Sequence, residues 1–73
     1  MDYKKIIENL EEDILEVDEG TLQADTKLSE LDEWDSLAKL ALMAWARKEY
    51  DKILTAQQIR EFVTVEDICN AVL

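Results

Sequence analysis

The sequence contains no histidine and no proline, and it has one glycine and one cysteine among its 73 residues. Without histidine, no serine of this chain can belong to a Ser-His-Asp triad. A lone cysteine excludes a disulfide within the chain, and with no histidine beside it a zinc site of standard composition is excluded as well. The single Gly20 is too little for a glycine-rich phosphate loop. These absences argue against an enzyme that acts by itself.

Basic residues are also few. The chain has 8 basic and 18 acidic residues, which give a formal net charge of −10. This excess argues against nucleic acid and against anionic membrane surfaces as partners. It favours partners with basic surfaces, although solubility alone explains the same composition equally well. The acidic residues Asp32, Glu33 and Asp35 lack the alternating spacing and central glycine of an EF-hand calcium loop. We therefore expect no resident metal ion.

The length allows one small domain, which we expect to span residues 1–73. No apolar run approaches the roughly 20 residues needed to cross a bilayer, and the first residues lack the charged-then-apolar pattern of a signal peptide. Cys69 lies within an apolar helical pattern, so we expect a buried structural thiol. These features predict a cytoplasmic protein, which we expect to be a monomer.

A first helix and a long ordered loop are predicted for the first half of the chain. The helix begins with Asp2 as a possible cap and ends before Gly20, the natural stop signal. Residues 21–35 form a long polar connection with spaced large apolar side chains, which indicates that the connection packs down, with a short helical turn at Leu28 and Leu31. The core-facing stripe of the first helix follows three- and four-residue intervals: Tyr3, Ile6, Ile7, Leu10, Ile14 and Val17.

The second helix, from Ser36 to about Tyr50, is apolar almost all round and must be covered on more than one side. At 100° per residue its apolar side chains separate into two faces. The face assigned to the core consists of Leu40, Met43, Ala46 and Tyr50. The face assigned to the surface consists of Leu37, Ala41, Ala44 and Trp45.

Two short helices are predicted for the last third of the chain. Thr55 caps a helix that extends through Phe62, with Ile59 and Val63 as further apolar positions. Thr64 and Asp67 form a capping box at the start of the last helix. The inward stripe of that helix is Val65, Ile68, Cys69, Val72 and Leu73. With no lasting period-two alternation, the chain is predicted to be a small all-α four-helix bundle with a short third helix.

The start of the second helix is the candidate site. Asp35 and Ser36 are both helix-capping residue types. The first turn of a helix has unpaired N–H groups and the positive end of the helix dipole, which favour a nearby phosphate. A serine hydroxyl in this position suits a phosphoserine-type linkage. The alternative is that Ser36 is only a helix cap, in which case the chain would be a non-enzymatic, acidic helical protein-interaction module.

The order Asp35-Ser36-Leu37 at this position resembles the attachment motif of the acyl carrier protein family, and the likeness in element order runs through most of the chain. The resemblance implies a covalent 4'-phosphopantetheine arm on Ser36, with Asp35 and Leu37 as motif neighbours, and an acyl or aminoacyl cargo held as a thioester. It implies a carrier that performs no catalysis of its own. Asp35 would cap the helix or also assist at the metal centre of the enzyme that attaches the arm.

The same resemblance implies three kinds of partner. A phosphopantetheinyl transferase would move the arm from coenzyme A to Ser36, with magnesium in the transferase's own site. An acyl- or aminoacyl-loading enzyme would then charge the arm, and a downstream synthase or transferase would receive the cargo.

The sequence departs from the family pattern in two places. Glu33 and Trp34 stand where many relatives have a glycine, and the second helix lacks the acidic residues that relatives in fatty-acid synthesis show. These departures favour a dedicated pathway, such as polyketide, aminoacyl or surface-polysaccharide assembly. They also suggest partner docking through Leu37, Ala41 and Trp45, with an aromatic anchor. The alternative is that Trp45 packs under the loop or a neighbouring helix.

Overall fold

A computed structural model describes residues 3–73, and within them the predicted small all-α four-helix bundle is confirmed. The predicted cap at Asp2 lies outside the described residues. Helix α1 spans Tyr3–Asn9 and continues as a π-helical turn over Leu10–Ile14. A 3₁₀ turn at Leu28–Glu30 lies within the loop that follows. The remaining helices are α2 at Ser36–Tyr50, α3 at Ala56–Glu61 and α4 at Val65–Val72.

The first helix ends earlier than Gly20 predicts, so that part of the prediction is wrong. Leu15 N–H donates to the carbonyl five residues earlier at 2.8 Å, which is the hydrogen bond of a π-helical turn. Val17 N–H then donates to the Glu11 carbonyl at 2.8 Å. Glu16, with a left-handed φ of 54°, reverses the chain at this point. Gly20, with φ 89°, serves a later turn instead.

Glu11 is the residue whose position departs most from the sequence pattern, because its side chain is buried with 1% exposed. Its Oε2 atom accepts hydrogen bonds from Gly20 N–H at 3.0 Å and from Leu22 N–H at 2.8 Å. A buried carboxylate is tolerated when such bonds replace its hydration. The two bonds tie the beginning of the loop to the first helix and hold Leu22 in the core.

The long loop is ordered, as predicted, and forms backbone hydrogen bonds with the junction between α3 and α4. Leu28 N–H donates to the Val63 carbonyl at 2.9 Å, and Val65 N–H donates to the Thr26 carbonyl at 3.0 Å. The predicted helical turn at Leu28 is present. The loop's large apolar side chains are buried or pack against the core, as expected: Leu22, Leu28, Leu31 and Trp34.

The last two helices carry the predicted caps. Thr55 and Gln58 form a capping box at α3, and Thr64 and Asp67 form one at α4. Leu73, which was predicted to face inward, is instead 46% exposed, and Val63, a predicted apolar position of the third helix, is 59% exposed. Each lies beyond the end of its helix, so the helical period no longer directs its side chain.

Cys69 is fully buried in α4, which confirms the predicted buried thiol. Burial, with a smaller contribution from the nearby Glu66 carboxylate, raises the pKa of the Cys69 thiol to about 11. The thiol is therefore protonated at neutral pH and a poor nucleophile.

Removing the Glu11 carboxylate is expected to loosen the loop. In Glu11→Ala the buried Leu22 N–H loses its acceptor, which is expected to cost about 1–3 kcal/mol of unfolding free energy. Urea unfolding followed by circular dichroism measures this loss. The exposed neighbour Glu12 gives the matched control, Glu12→Ala, which is expected to change stability by no more than about 0.5 kcal/mol. Equal stabilities of the two variants would contradict this role for Glu11.

The α4 cap is expected to contribute stability in a pH-dependent way. Asp67 Oδ2 accepts hydrogen bonds from Val63 N–H at 2.8 Å and Thr64 N–H at 3.1 Å, and these bonds hold the pKa of Asp67 below its usual value. The contribution is therefore present above the pKa of an unfolded aspartate, about 3.9, and is lost as the pH falls through the lower folded value.

Asp67→Ala is accordingly expected to be less stable than the wild type at pH 7, by no more than about 1 kcal/mol because solvent screens these accessible hydrogen bonds, with a gap that shrinks below about pH 4. Urea titrations of both proteins between pH 7 and about pH 2.5 measure the gap. A gap of constant size over that range would show that the carboxylate charge has no part in the cap.

Candidate functional site

The candidate site lies at the start of α2, where Asp35 is the N-cap, as predicted. Asp35 has extended backbone angles, φ −113° and ψ −172°, and its Oδ1 atom accepts a hydrogen bond from Ala38 N–H at 2.9 Å. Its carbonyl accepts Lys39 N–H at 3.0 Å, which is the first hydrogen bond of the helix. Ser36 is therefore the first helical residue and not the cap.

The side chain of Ser36 is exposed, and so are those of its neighbours Asp35 and Leu37. Because the Asp35 carboxylate makes the capping bond, the helix start does not depend on the Ser36 hydroxyl. The hydroxyl stands on the surface at the positive end of the α2 dipole. The structure thus brings the three predicted motif residues together in one exposed turn.

The surroundings of Ser36 fit a phosphate ester. The helix start supplies N–H groups that have no carbonyl partner within the helix. The carboxylates of Glu33 and Asp35 oppose an added negative charge, but both are exposed, so water and salt weaken the repulsion.

The two faces of α2 differ from the predicted assignment. Leu40, predicted to lie in the core, is 61% exposed, and Trp45, assigned to the surface face, is only 8% exposed. The Trp45 ring contacts the Tyr50 ring edge-to-face at 5.3 Å between centroids. The residues of α2 that are buried are Ala38, Leu42, Trp45 and Ala46. Other parts of the assignment are confirmed, because Ala46 is buried, Met43 and Tyr50 pack against the core, and Leu37 and Ala44 are exposed. Apolar spacing misplaced Leu40 and Trp45 because this helix has apolar residues on every side.

This correction changes the predicted docking set of Leu37, Ala41 and Trp45. Trp45 belongs to the core and cannot anchor a partner, which is the alternative that the sequence left open. Leu37 remains 76% exposed, whereas Ala41 is half-buried. The exposed apolar stripe beside Ser36 is formed by Leu37 and Leu40.

Two grooves run along α2 near this turn. The first, which we call the acidic groove, has a volume of about 360 Å³ and lies between the end of the first helix and α2. Its charged lining residues are Asp13, Glu16, Glu33 and Asp35.

The second, which we call the basic groove, has a volume of about 340 Å³ and lies between the loop, α2 and α3. Its charged lining residues are Lys39 and Arg60, and its apolar ones include Leu31, Trp34 and Phe62. Sequence reasoning missed this groove, because no spacing signal connects residues of the loop, α2 and α3.

The described residues 3–73 contain no group of three or more His, Cys, Asp or Glu side chains arranged to hold a metal ion. Over the same range, every helix is too short or too polar to cross a bilayer.

A family model described as a phosphopantetheine attachment site matches residues 5–72. The matched region runs from within α1 to the end of α4 and includes the turn with Asp35, Ser36 and Leu37. No curated protein and no solved structure matches the chain significantly.

Substitution of Trp45 and Leu37 is expected to distinguish core from surface on α2. Trp45→Ala removes a buried aromatic ring and is expected to cost about 3–5 kcal/mol of unfolding free energy. Leu37→Ala truncates an exposed side chain and is expected to cost no more than about 0.5 kcal/mol. Thermal and urea unfolding measure both values. If Trp45→Ala does not fold, Trp45→Leu supplies a smaller and measurable loss.

Similar stabilities for the Trp45 and Leu37 variants would contradict the burial of Trp45.

Proposed function

Because the chain belongs to the phosphopantetheine attachment site family, we propose that it is an acyl carrier protein that holds its 4'-phosphopantetheine on the Ser36 hydroxyl. The family attaches this group covalently. One observation supports the choice of Ser36 as the attachment residue. Asp35 makes the capping hydrogen bond of α2, and Ser36, exposed at the first helical position, has a hydroxyl that the helix start does not need.

When bound, the group supplies a terminal thiol that holds an acyl or aminoacyl cargo as a thioester. For attachment, the Ser36 hydroxyl oxygen would bond to the phosphorus atom on the pantetheine side of coenzyme A. Adenosine 3',5'-bisphosphate would be the leaving group, and the hydroxyl proton would pass to a base of the transferase. The positive end of the α2 dipole stabilises the phosphodiester charge that remains on the protein.

The neighbours of Ser36 have supporting roles in this proposal. Asp35 fixes the start of α2, and its exposed carboxylate is also available to the magnesium ion of the transferase. Leu37 and Leu40 form the apolar contact surface for the transferase, the cargo-loading enzyme and the downstream synthase or transferase. Cys69 does not compete for the cargo, because its thiol is buried and protonated.

The proposed protein is a carrier without catalytic activity of its own, working as one domain in the cytoplasm. A dedicated biosynthetic pathway fits better than general fatty-acid synthesis. The basic residues Lys39, Arg47 and Lys48 lie on α2, where carriers for fatty-acid synthesis have acidic ones. The competing function, an interaction module in which Ser36 is only a cap, is disfavoured because Asp35 makes the capping bond.

Intact mass tests the attachment. After co-expression with a broad-specificity phosphopantetheinyl transferase, the wild-type protein is expected to gain the mass of one arm. Ser36→Ala is expected to gain nothing while keeping its helical circular dichroism, because the cap at Asp35 remains. The exposed Ser29 supplies the matched control, since Ser29→Ala is expected to gain the arm like the wild type.

An arm on Ser36→Ala would overturn the choice of residue. A wild-type protein that stays unmodified with several transferases would overturn the carrier function. Loss of folding in Ser36→Ala would support the competing reading of Ser36 as a structural residue.

A further inference from the structure

We propose that the basic groove binds the anionic end of the cargo, an acyl group with a terminal carboxylate held between Lys39 and Arg60. This inference rests on the proposed function, because the cargo reaches the groove only through an arm on Ser36. It narrows the cargo from any acyl or aminoacyl group to an acyl group with a free carboxylate.

The distribution of charge is the first reason. The lining of the basic groove contains two cationic side chains and no carboxylate. The acidic groove has four carboxylates and no cation. The chain has 18 acidic and 8 basic residues, so the positive charge of the basic groove is opposite in sign to the net charge of the protein. A ligand that fits this lining carries negative charge.

The two cations are also available to a ligand. Within residues 3–73 the ion pair that forms is between Arg47 and Asp51, so neither Lys39 nor Arg60 is neutralised by a carboxylate of the described chain. The Lys39 ammonium lies 5.8 Å from the centre of the Trp34 ring. This cation–π contact favours one position of the ammonium without using its three N–H donors. Arg60 is exposed in the last turn of α3, with its guanidinium open to an anion.

The groove also has a place for the apolar part of the cargo. Leu31, Trp34 and Phe62 are half-buried and line it. Because Lys39 follows Ser36 by three residues on one helix, the cationic lining lies on the side of α2 where the arm would begin. The arm would fold back along α2 to bring the carboxylate at its far end to this lining. The volume of about 340 Å³ has room for a short acyl chain with a terminal carboxylate.

Two anions have access to these cations, the carboxylate of a cargo and the phosphodiester on Ser36 itself. The phosphodiester would lie at the start of α2, whereas Arg60 belongs to α3 on the other side of the groove. An apolar lining stabilises methylene groups and offers nothing to a phosphate. We therefore assign the pair to the cargo.

The test uses protein loaded by a transferase with three different arms. One arm ends in the free thiol. The other two are stable amide analogues of the thioester, one with a neutral butyryl group and one with a succinyl group labelled with ¹³C in its free carboxyl. Intact mass confirms loading on Ser36. The ¹³C chemical shift then reports the titration of the cargo carboxyl, and the indole N–H signal of Trp34, identified with Trp34→Phe, reports entry into the groove.

In the wild-type protein the succinyl carboxyl is expected to titrate about 1 pH unit lower than in the Lys39→Gln, Arg60→Gln variant, because two cations stabilise its charged form. The succinyl arm is also expected to shift the Trp34 indole signal more than the butyryl arm does. Lys48→Gln, Lys52→Gln removes the same charge from exposed positions outside the groove and is expected to leave the carboxyl titration unchanged. Arg60→Gln alone, an exposed substitution compatible with folding, is expected to give part of the effect.

A protein that never gains an arm on Ser36 overturns the proposed function, and this inference falls with it. A protein that loads normally, but whose succinyl carboxyl titrates identically in the wild type and the groove variant, overturns the inference alone. Trp34 signals that respond equally to all three arms would assign the cations to the phosphodiester, which also overturns it.

Discussion

One carboxylate decides where α2 begins, and the site depends on that position. The bond from Ala38 N–H to Asp35 Oδ1, at 2.9 Å, makes the aspartate the cap and leaves Ser36 exposed at the first helical position. A cap of this kind contributes about 1 kcal/mol to stability. Its larger consequence is chemical, because the serine hydroxyl is released from a structural role and stands at the positive end of a helix.

The loop before α2 gives this helix start its surroundings. The loop is held at its beginning by the buried Glu11 carboxylate and further along by backbone hydrogen bonds to the α3–α4 junction. Its last large side chain, Trp34, lies against Lys39 and lines the basic groove. Since charges are screened over about 8 Å at physiological ionic strength, the groove cations act on a nearby anion more strongly than the net charge of −10 does.

Helix starts were predictable because caps depend on residues only three positions apart. Asp35 with Ala38, and Thr64 with Asp67, satisfy the first N–H groups from within the same short segment. The end of the first helix was not predictable in this way. Its π-helical turn and the left-handed Glu16 accompany the inward placement of Glu11, which bonds to a distant part of the chain and leaves no local pattern.

The sequence by itself determined the four helices, the caps of α2, α3 and α4, and the motif at the start of α2, because each follows from apolar period or from side chains close along the chain. Only the tertiary structure decided that Trp45 is buried while Leu40 is exposed. A helix with apolar residues on every side acquires an inner face only when other elements pack against it. The meeting of Lys39 and Arg60 at one groove has the same origin, since the packing of the loop, α2 and α3 brings distant residues together.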